Sequence, residues 1–306
     1  MHVHVHEHVH VHVHVRIMHA TAPCSAAWLA DYLVLVRKLA RLCGWYKADH
    51  ALAAELNQSF PTNHPTSMSA GAGGTVSLVR QVDSLVEFAS SVAPQLFAAD
   101  VGGAAPMAQF KAQFVHMLEL QPRFLEYLGS NPDYMAWTHP NLNIDNAYWW
   151  RDESGALDAG VIDWAGVGCR EVTMSLDMCL FGGGWEVQEG GGQRELLAAF
   201  RDEYVASGGP ALDLEELQRH FDVTLAIQLG GMTGIPAQLY GPHRIPRDQW
   251  PAIESVRDPR IDGDDDRAFI VRSYVRIVIY RLTRWRRDGV YARLCAWAGV
   301  PPAPGT

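Results

Sequence analysis

The spacing of apolar residues divides the chain into long helical stretches around one short alternating island. Residues 26–48 read AAWLADYLVLVRKLARLCGWYKA, and Leu29, Leu33, Val36, Leu39 and Leu42 recur every three or four positions, an apolar stripe along a helix. Ser25 stands where an N-cap belongs. A polar stretch with two prolines follows at 57–69, and helical spacing resumes near 79–95 and 107–129. It returns at about 172–182, 192–207, 213–230 and 266–298, whereas 231–260 is rich in Gly and Pro and is expected to be loop. Strand signals are confined to the middle. Residues 134–138 (YMAWT), 147–150 (AYWW) and 157–162 (LDAGVI) are strand candidates, with 151–155 (RDESG) as a turn between the last two.

Composition narrows the classes. The chain has 306 residues and is 48% hydrophobic, enough for a sizeable core. A net charge of -9 repels phosphate backbones and excludes a general nucleic-acid binder. No apolar run reaches the roughly 18 residues of a membrane span. The five cysteines, Cys24, Cys43, Cys169, Cys179 and Cys295, are scattered without a CxxC pair, so neither a zinc knuckle nor a disulfide framework is expected. A reducing compartment, most simply the cytoplasm, fits this usage.

The first 16 residues, MHVHVHEHVHVHVHVR, place histidine at every even position from His2 to His14: His2, His4, His6, His8, His10, His12 and His14. In an extended chain these imidazoles line one face, which suits zinc, nickel or copper. The alternative reading is a low-complexity tail without a site. The glycines Gly71, Gly73 and Gly74 invite a phosphate-loop reading, but no strand precedes them and no Gly-Lys-Ser/Thr follows. No lysine lies between Lys47 and Lys111 either, so a linker between helices explains them.

Two motifs flank the aromatic strand. The first is Thr138-His139-Pro140-Asn141-Leu142-Asn143-Ile144-Asp145-Asn146, and the second is Gly160-Val161-Ile162-Asp163-Trp164. Phosphoryl transfer needs a group that orients the acceptor hydroxyl and side-chain oxygens that hold magnesium against nucleotide phosphates. In order and spacing these motifs resemble those of the aminoglycoside-phosphotransferase and choline-kinase branch of the kinase-like fold. There the loop reads His-Gly-Asp-x-x-x-x-Asn and the second motif Ile-Asp-Trp. The resemblance implies that His139 is the loop histidine, that Asn141 falls at the position of the catalytic base, and that Asn146 and Asp163 are the magnesium and nucleotide ligands. It also implies that Ser175-Leu176-Asp177 lies on the helix beneath the site, with Asp177 accepting backbone N–H bonds from the catalytic loop.

The resemblance implies a fold that is α+β and mostly helical, a kinase-like C-lobe whose small β-hairpin carries the catalytic loops. Residues 1–16 form the His-Val tail, 17–300 the lobe and 301–306 a short tail. The implied cofactor is Mg-ATP and the implied substrate a small-molecule hydroxyl acceptor. Two departures weaken the catalytic expectation. Asn141 replaces a carboxylate by a neutral amide, and loss of a general base costs about 10²- to 10⁴-fold in rate. Asn143 stands where related enzymes often carry His or Lys. The stretch ahead of the first helix is also too short for a nucleotide-binding N-lobe, so the surface that such a lobe covers is expected to be exposed and open to a protein partner. The expectation is a phosphotransferase-lineage member impaired or inactive as written, with a non-catalytic pseudokinase or binding module as the alternative and metal binding by the histidine tract as a weaker one.

Three further features have plainer readings. The acidic run Asp262-Gly-Asp-Asp-Asp266 is expected to cap the helix that starts near Arg267. Arg272, Arg276, Arg281, Arg284, Arg286 and Arg287 are expected to form a solvated, ion-paired face. The tryptophans at 137, 149, 150 and 164 are expected to pack in the core around the hairpin.

Overall fold

The computed structural model describes residues 26–60, 62, 74–183, 188–241, 243–263 and 265–304. Helix α1 (Ala26–Ala48) is the helix read from the leucine stripe, with Leu35, Val36, Leu39 and Ala40 fully buried. A second helix, α2 (His50–Ser59), extends into the stretch read as polar loop. It starts because Asp49 accepts from the N–H groups of Ala51 and Leu52. Helix α3 (Gly74–Glu87) ends in a π-turn at Phe88–Val92, and α4 (Ala104–Ser130) follows. Gly74, one of the three clustered glycines, opens a helix and no phosphate loop.

The alternating island forms four strands in two antiparallel pairs. Strands β2 (Ala147–Arg151) and β3 (Leu157–Val161) make the expected hairpin, with Ala147 opposite Val161. Strand β1 (Met135–Thr138) pairs instead with β4 (Gly168–Glu171), which the sequence did not announce. Glu171 ends β4 and caps α5 (Val172–Leu180), accepting from the N–H groups of Thr173 and Met174. It is fully buried and also accepts from the Thr173 hydroxyl and His220, so its lone pairs are occupied.

The remaining helices are α6 (Gly192–Ala206), α7 (Leu214–Met232), α8 (Ile235–Leu239), α9 (Pro259–Asp262), α10 (Asp266–Arg287) and α11 (Val290–Ala298). The single helix read over 266–298 is therefore two, broken where Gly289 takes a left-handed conformation (φ 63°). The stretch 231–260 is not all loop, since α8 and a 3-10 turn at Arg247–Ala252 bury Leu239 and Trp250.

Two hydrophobic clusters result. One is built by α1, β1, α5 and α6, and the other by α3, α4 and α11. Helices α7 and α10 feed both. The seam where they meet is ionic, and here the expected solvated arginine face is corrected for Arg281 and Arg284, which are buried, while Arg286 and Arg287 are exposed and Arg287 pairs with Asp100 as expected. Arg284 is fully buried: it donates to Asp177 (3.3 Å), to the Phe221 carbonyl (3.1 Å) and to Asp222 (3.3 Å), and its guanidinium lies 3.6 Å over the Phe221 ring. Arg281 donates to the other Asp177 oxygen at 2.7 Å. Arg293 forks onto Asp222 at 2.7 and 2.9 Å. Aspartates from α5 and α7 thus neutralise arginines from α10 and α11.

Removing one partner of such a seam strands the others without water. Asp177→Ala is expected to lower unfolding free energy by about 3–5 kcal/mol, read from urea denaturation of the purified chain. A loss under about 1 kcal/mol means that the seam contributes little to stability.

Candidate functional site

The site is built at the end of the β2–β3 hairpin where the chain enters β2 and leaves β3. The Ile162 N–H donates to the Asn146 carbonyl (3.0 Å), which extends the ladder one step past Ala147 and Val161. Asn146 and Asp163 therefore leave the hairpin side by side. Gly160 lets the Tyr148 ring of the facing strand lie over it, since a Cβ there would stand 2.1 Å from Cζ and would make the exposed ring shift.

The entering loop holds itself together through its own side chains. Asn141 N–H donates to His139 Nδ1 (3.2 Å), so the ring proton sits on Nε2 and donates to the Ile162 carbonyl (3.0 Å). Asn143 donates to Asn141 Oδ1 (2.9 Å) and accepts from the Asp145 N–H (2.8 Å), capping the 3-10 turn at Ile144–Asn146. The Asn146 amide NH₂ donates back to the Asn141 carbonyl (2.8 Å), which leaves its side-chain oxygen as the atom available to a ligand.

Each residue named from the sequence can now be placed. His139 is fully buried with both ring nitrogens occupied, so it is a positioning residue that ties the two loops and no group exposed to a reactant. Burial, the largest influence, holds its pKa below the usual histidine value. Asn141 and Asn146 are half-buried and Asp163 is exposed. Asp163 adopts φ 58°, an unusual left-handed conformation for a non-glycine residue of the kind that clusters at functional sites. Among the described residues its carboxylate accepts no hydrogen bond and joins no ion pair. Asp177 is corrected: it takes Arg281 and Arg284 and not the loop's backbone N–H groups, so it supports the site only through helix α5. The histidines His2 to His14 lie outside the described residues.

The arrangement offers one carboxylate and one amide oxygen to a hard cation, a donor set that fits magnesium with further oxygens from phosphate and water. No group of three His, Cys, Asp or Glu side chains placed to hold a metal ion occurs among the described residues.

Beside Asp163 lies an apolar cleft of about 240 Å³ between α1 and β3, lined by Leu42, Trp45, Leu142, Gly160, Val161 and Trp164 among others. The sequence did not foresee it. Trp164 stacks on Trp137 (5.9 Å between centroids), yet it is exposed, as are Trp45 and Ile162, which corrects the reading of Trp164 as a core residue. The Gly44-Trp45 pair at the end of the leucine stripe is the signal that marked it: Trp45 falls off the buried face.

No protein-family model, curated protein or solved structure matches the chain. No helix among the described residues is long and apolar enough to cross a membrane.

The tie through His139 has a definite pH dependence. A pKa lowered on folding means that the unfolded chain binds more protons, so stability rises with pH through that range. The contribution is whole above the unfolded histidine value of about 6.5 and is lost as pH falls below it toward the lowered folded value. His139→Gln, which cannot titrate, is expected to reduce the fall in melting temperature between pH 7 and pH 5. An unchanged fall would assign it to other groups.

Proposed function

We propose that this chain belongs to the lineage of ATP-dependent small-molecule phosphotransferases, with a kinase-like C-lobe, and that Asn141 leaves it impaired in phosphoryl transfer. The observation that carries the reading is the hairpin end: Asn146 and Asp163 leave adjacent strands there, tied by the Ile162–Asn146 hydrogen bond, with Asp163 unpaired in a left-handed conformation. Their adjacency in space supports the pair named from spacing in the sequence.

Within this reading the amide oxygen of Asn146 and the carboxylate of Asp163 hold the magnesium of Mg-ATP. The nucleotide supplies the transferable phosphoryl group. His139 keeps the two loops in register, and Asn143 holds the Asn141 side chain in place. Asn141 faces the acceptor hydroxyl. Its amide oxygen can accept that hydrogen bond but cannot keep the proton at neutral pH, so the hydroxyl is oriented without being activated.

A second reading, a non-catalytic binding module, rests on the exposed apolar rim of Trp45, Ile162 and Trp164. Such a surface beside a cleft fits a protein partner. The two readings differ in what they ask of Asp163: the first needs its carboxylate and the second does not.

Calorimetry with Mg-ATP separates them. The expected outcome is magnesium-dependent binding that Asp163→Ala abolishes and Asn141→Asp preserves. Asn141→Asp is also expected to raise magnesium-dependent ATP hydrolysis about 10²-fold or more by restoring a general base, since the new carboxylate keeps the Asn143 hydrogen bond. Absence of binding at millimolar ATP overturns the nucleotide reading and leaves the binding module.

A further inference from the structure

Helix α10 carries arginines at two levels, and the two levels differ in charge balance. At the lower level Arg281 and Arg284, with Arg293 of α11, are matched by Asp177, Asp222 and Asp288. At the upper level Arg272 and Arg276, one turn apart, share a single carboxylate. Asp262 Oδ1 lies 3.5 Å from Arg272 and 3.8 Å from Arg276, long contacts for charged groups. Arg272 adds a 3.4 Å contact to the Gly263 carbonyl and lies 5.6 Å over the Phe269 ring. Within the described part of the acidic run, Asp265 is engaged as the N-cap of α10, accepting from the Ala268 N–H at 2.7 Å.

This unbalanced pair stands next to the candidate site. Above β2 the loop turn at Ile144–Asn146 packs against the 3-10 turn at Phe181–Gly183, where a Cβ on Gly182 would meet Ile144 at 3.3 Å and the Tyr32 hydroxyl at 3.1 Å. Helix α10 packs on that same turn. Arg276 consequently senses both Tyr32 and Asp145, although Asp145 lies beyond ion-pair distance. Burial and the neighbouring Arg272 cation both disfavour the charge of Arg276, so the wall holds positive charge that Asp262 does not fully compensate. A half-buried guanidinium in this condition gains from an added anion.

Resting on the reading of Asn146 and Asp163 as the nucleotide-metal side, we propose that Arg272 and Arg276 form the acceptor-side wall and bind an oxyanion of the substrate, so that the acceptor is a hydroxylated carboxylate or phosphate. Guanidinium forks suit the planar carboxylate and the phosphate oxygens alike. A cationic acceptor is repelled at this wall.

The proposal is tested without nucleotide or metal, which keeps its failure apart from that of the nucleotide reading. Inorganic phosphate and glycerate are titrated separately into the purified chain by calorimetry, and the two arms distinguish a phosphate-bearing from a carboxylate-bearing acceptor. The expected result is saturable binding of at least one probe, weakened about tenfold or more by Arg276→Gln as a charge-assisted hydrogen bond is lost. Arg276→Lys retains part of the affinity. Asp262→Asn, which removes the internal competitor, strengthens binding, an effect that a purely structural Arg276 would not produce. Asp163→Ala leaves anion affinity unchanged. No saturable binding of either probe overturns the proposal, and so does binding that Arg276→Gln and Asp262→Asn leave unaltered in variants with native melting temperatures.

Discussion

The buried guanidinium of Arg284 is the constraint around which the molecule closes. It has no access to water, so its terminal NH₂ groups donate to protein, while its Nε lies 3.8 Å from Asp288. Asp177 comes from α5, Asp222 and the Phe221 carbonyl from α7, and the ring of Phe221 covers its face. These groups belong to elements that otherwise serve different hydrophobic clusters. Apolar packing tolerates small slides between helices, whereas an ionic seam with directed donors does not. The seam therefore sets how the two clusters meet, and it carries α5 into a fixed place.

From α5 the constraint runs directly to the site. Glu171 caps α5 and ends β4, and β4 pairs with β1 over four residues from Met135 to Thr138. The residue after β1 is His139, whose two ring nitrogens bind the entering loop to the residue before Asp163. Each step is a satisfied buried polar group, and none needs a ligand. The loop is thus preorganised without a ligand. Asn141 belongs to this order: its backbone N–H, carbonyl and side-chain oxygen are all engaged within the loop. An aspartate there would fit the same bonds, so the asparagine is not a structural requirement of the loop.

The sequence disclosed what is local and hid what is distant. The hairpin was readable because β2 and β3 are joined by the short turn RDESG, in which Asp152 accepts from the N–H groups of Ser154 and Ala156. The order of His139, Asn141, Asn146 and Asp163 was readable for the same reason. Strand β4 was not, because its four residues, GCRE, lack an alternating pattern and their partner lies some 30 residues upstream. The arginines of α10 looked solvated because charge at helical spacing usually is. The burial of Arg281 and Arg284 depends on Asp177 and Asp222, more than 60 positions away, and no periodicity in α10 reports those partners. The break at Gly289 was legible in principle, since glycine after a basic last turn is a stop signal, but the apolar spacing resumes at Val290 and reads through it.

The two levels of α10 show one chemistry put to two ends. Where three arginines meet three aspartates the charge is consumed internally, and the product is rigidity. Where two arginines meet one aspartate at longer range, the same side chain keeps part of its field for something outside the fold. The second arrangement contributes less to stability than a matched pair would, because Arg276 is partly desolvated and faces a like charge. A chain gains nothing in folding by leaving that mismatch beside a preorganised loop. An added anion would offset both the burial and the like charge, which is the role proposed for the acceptor's oxyanion.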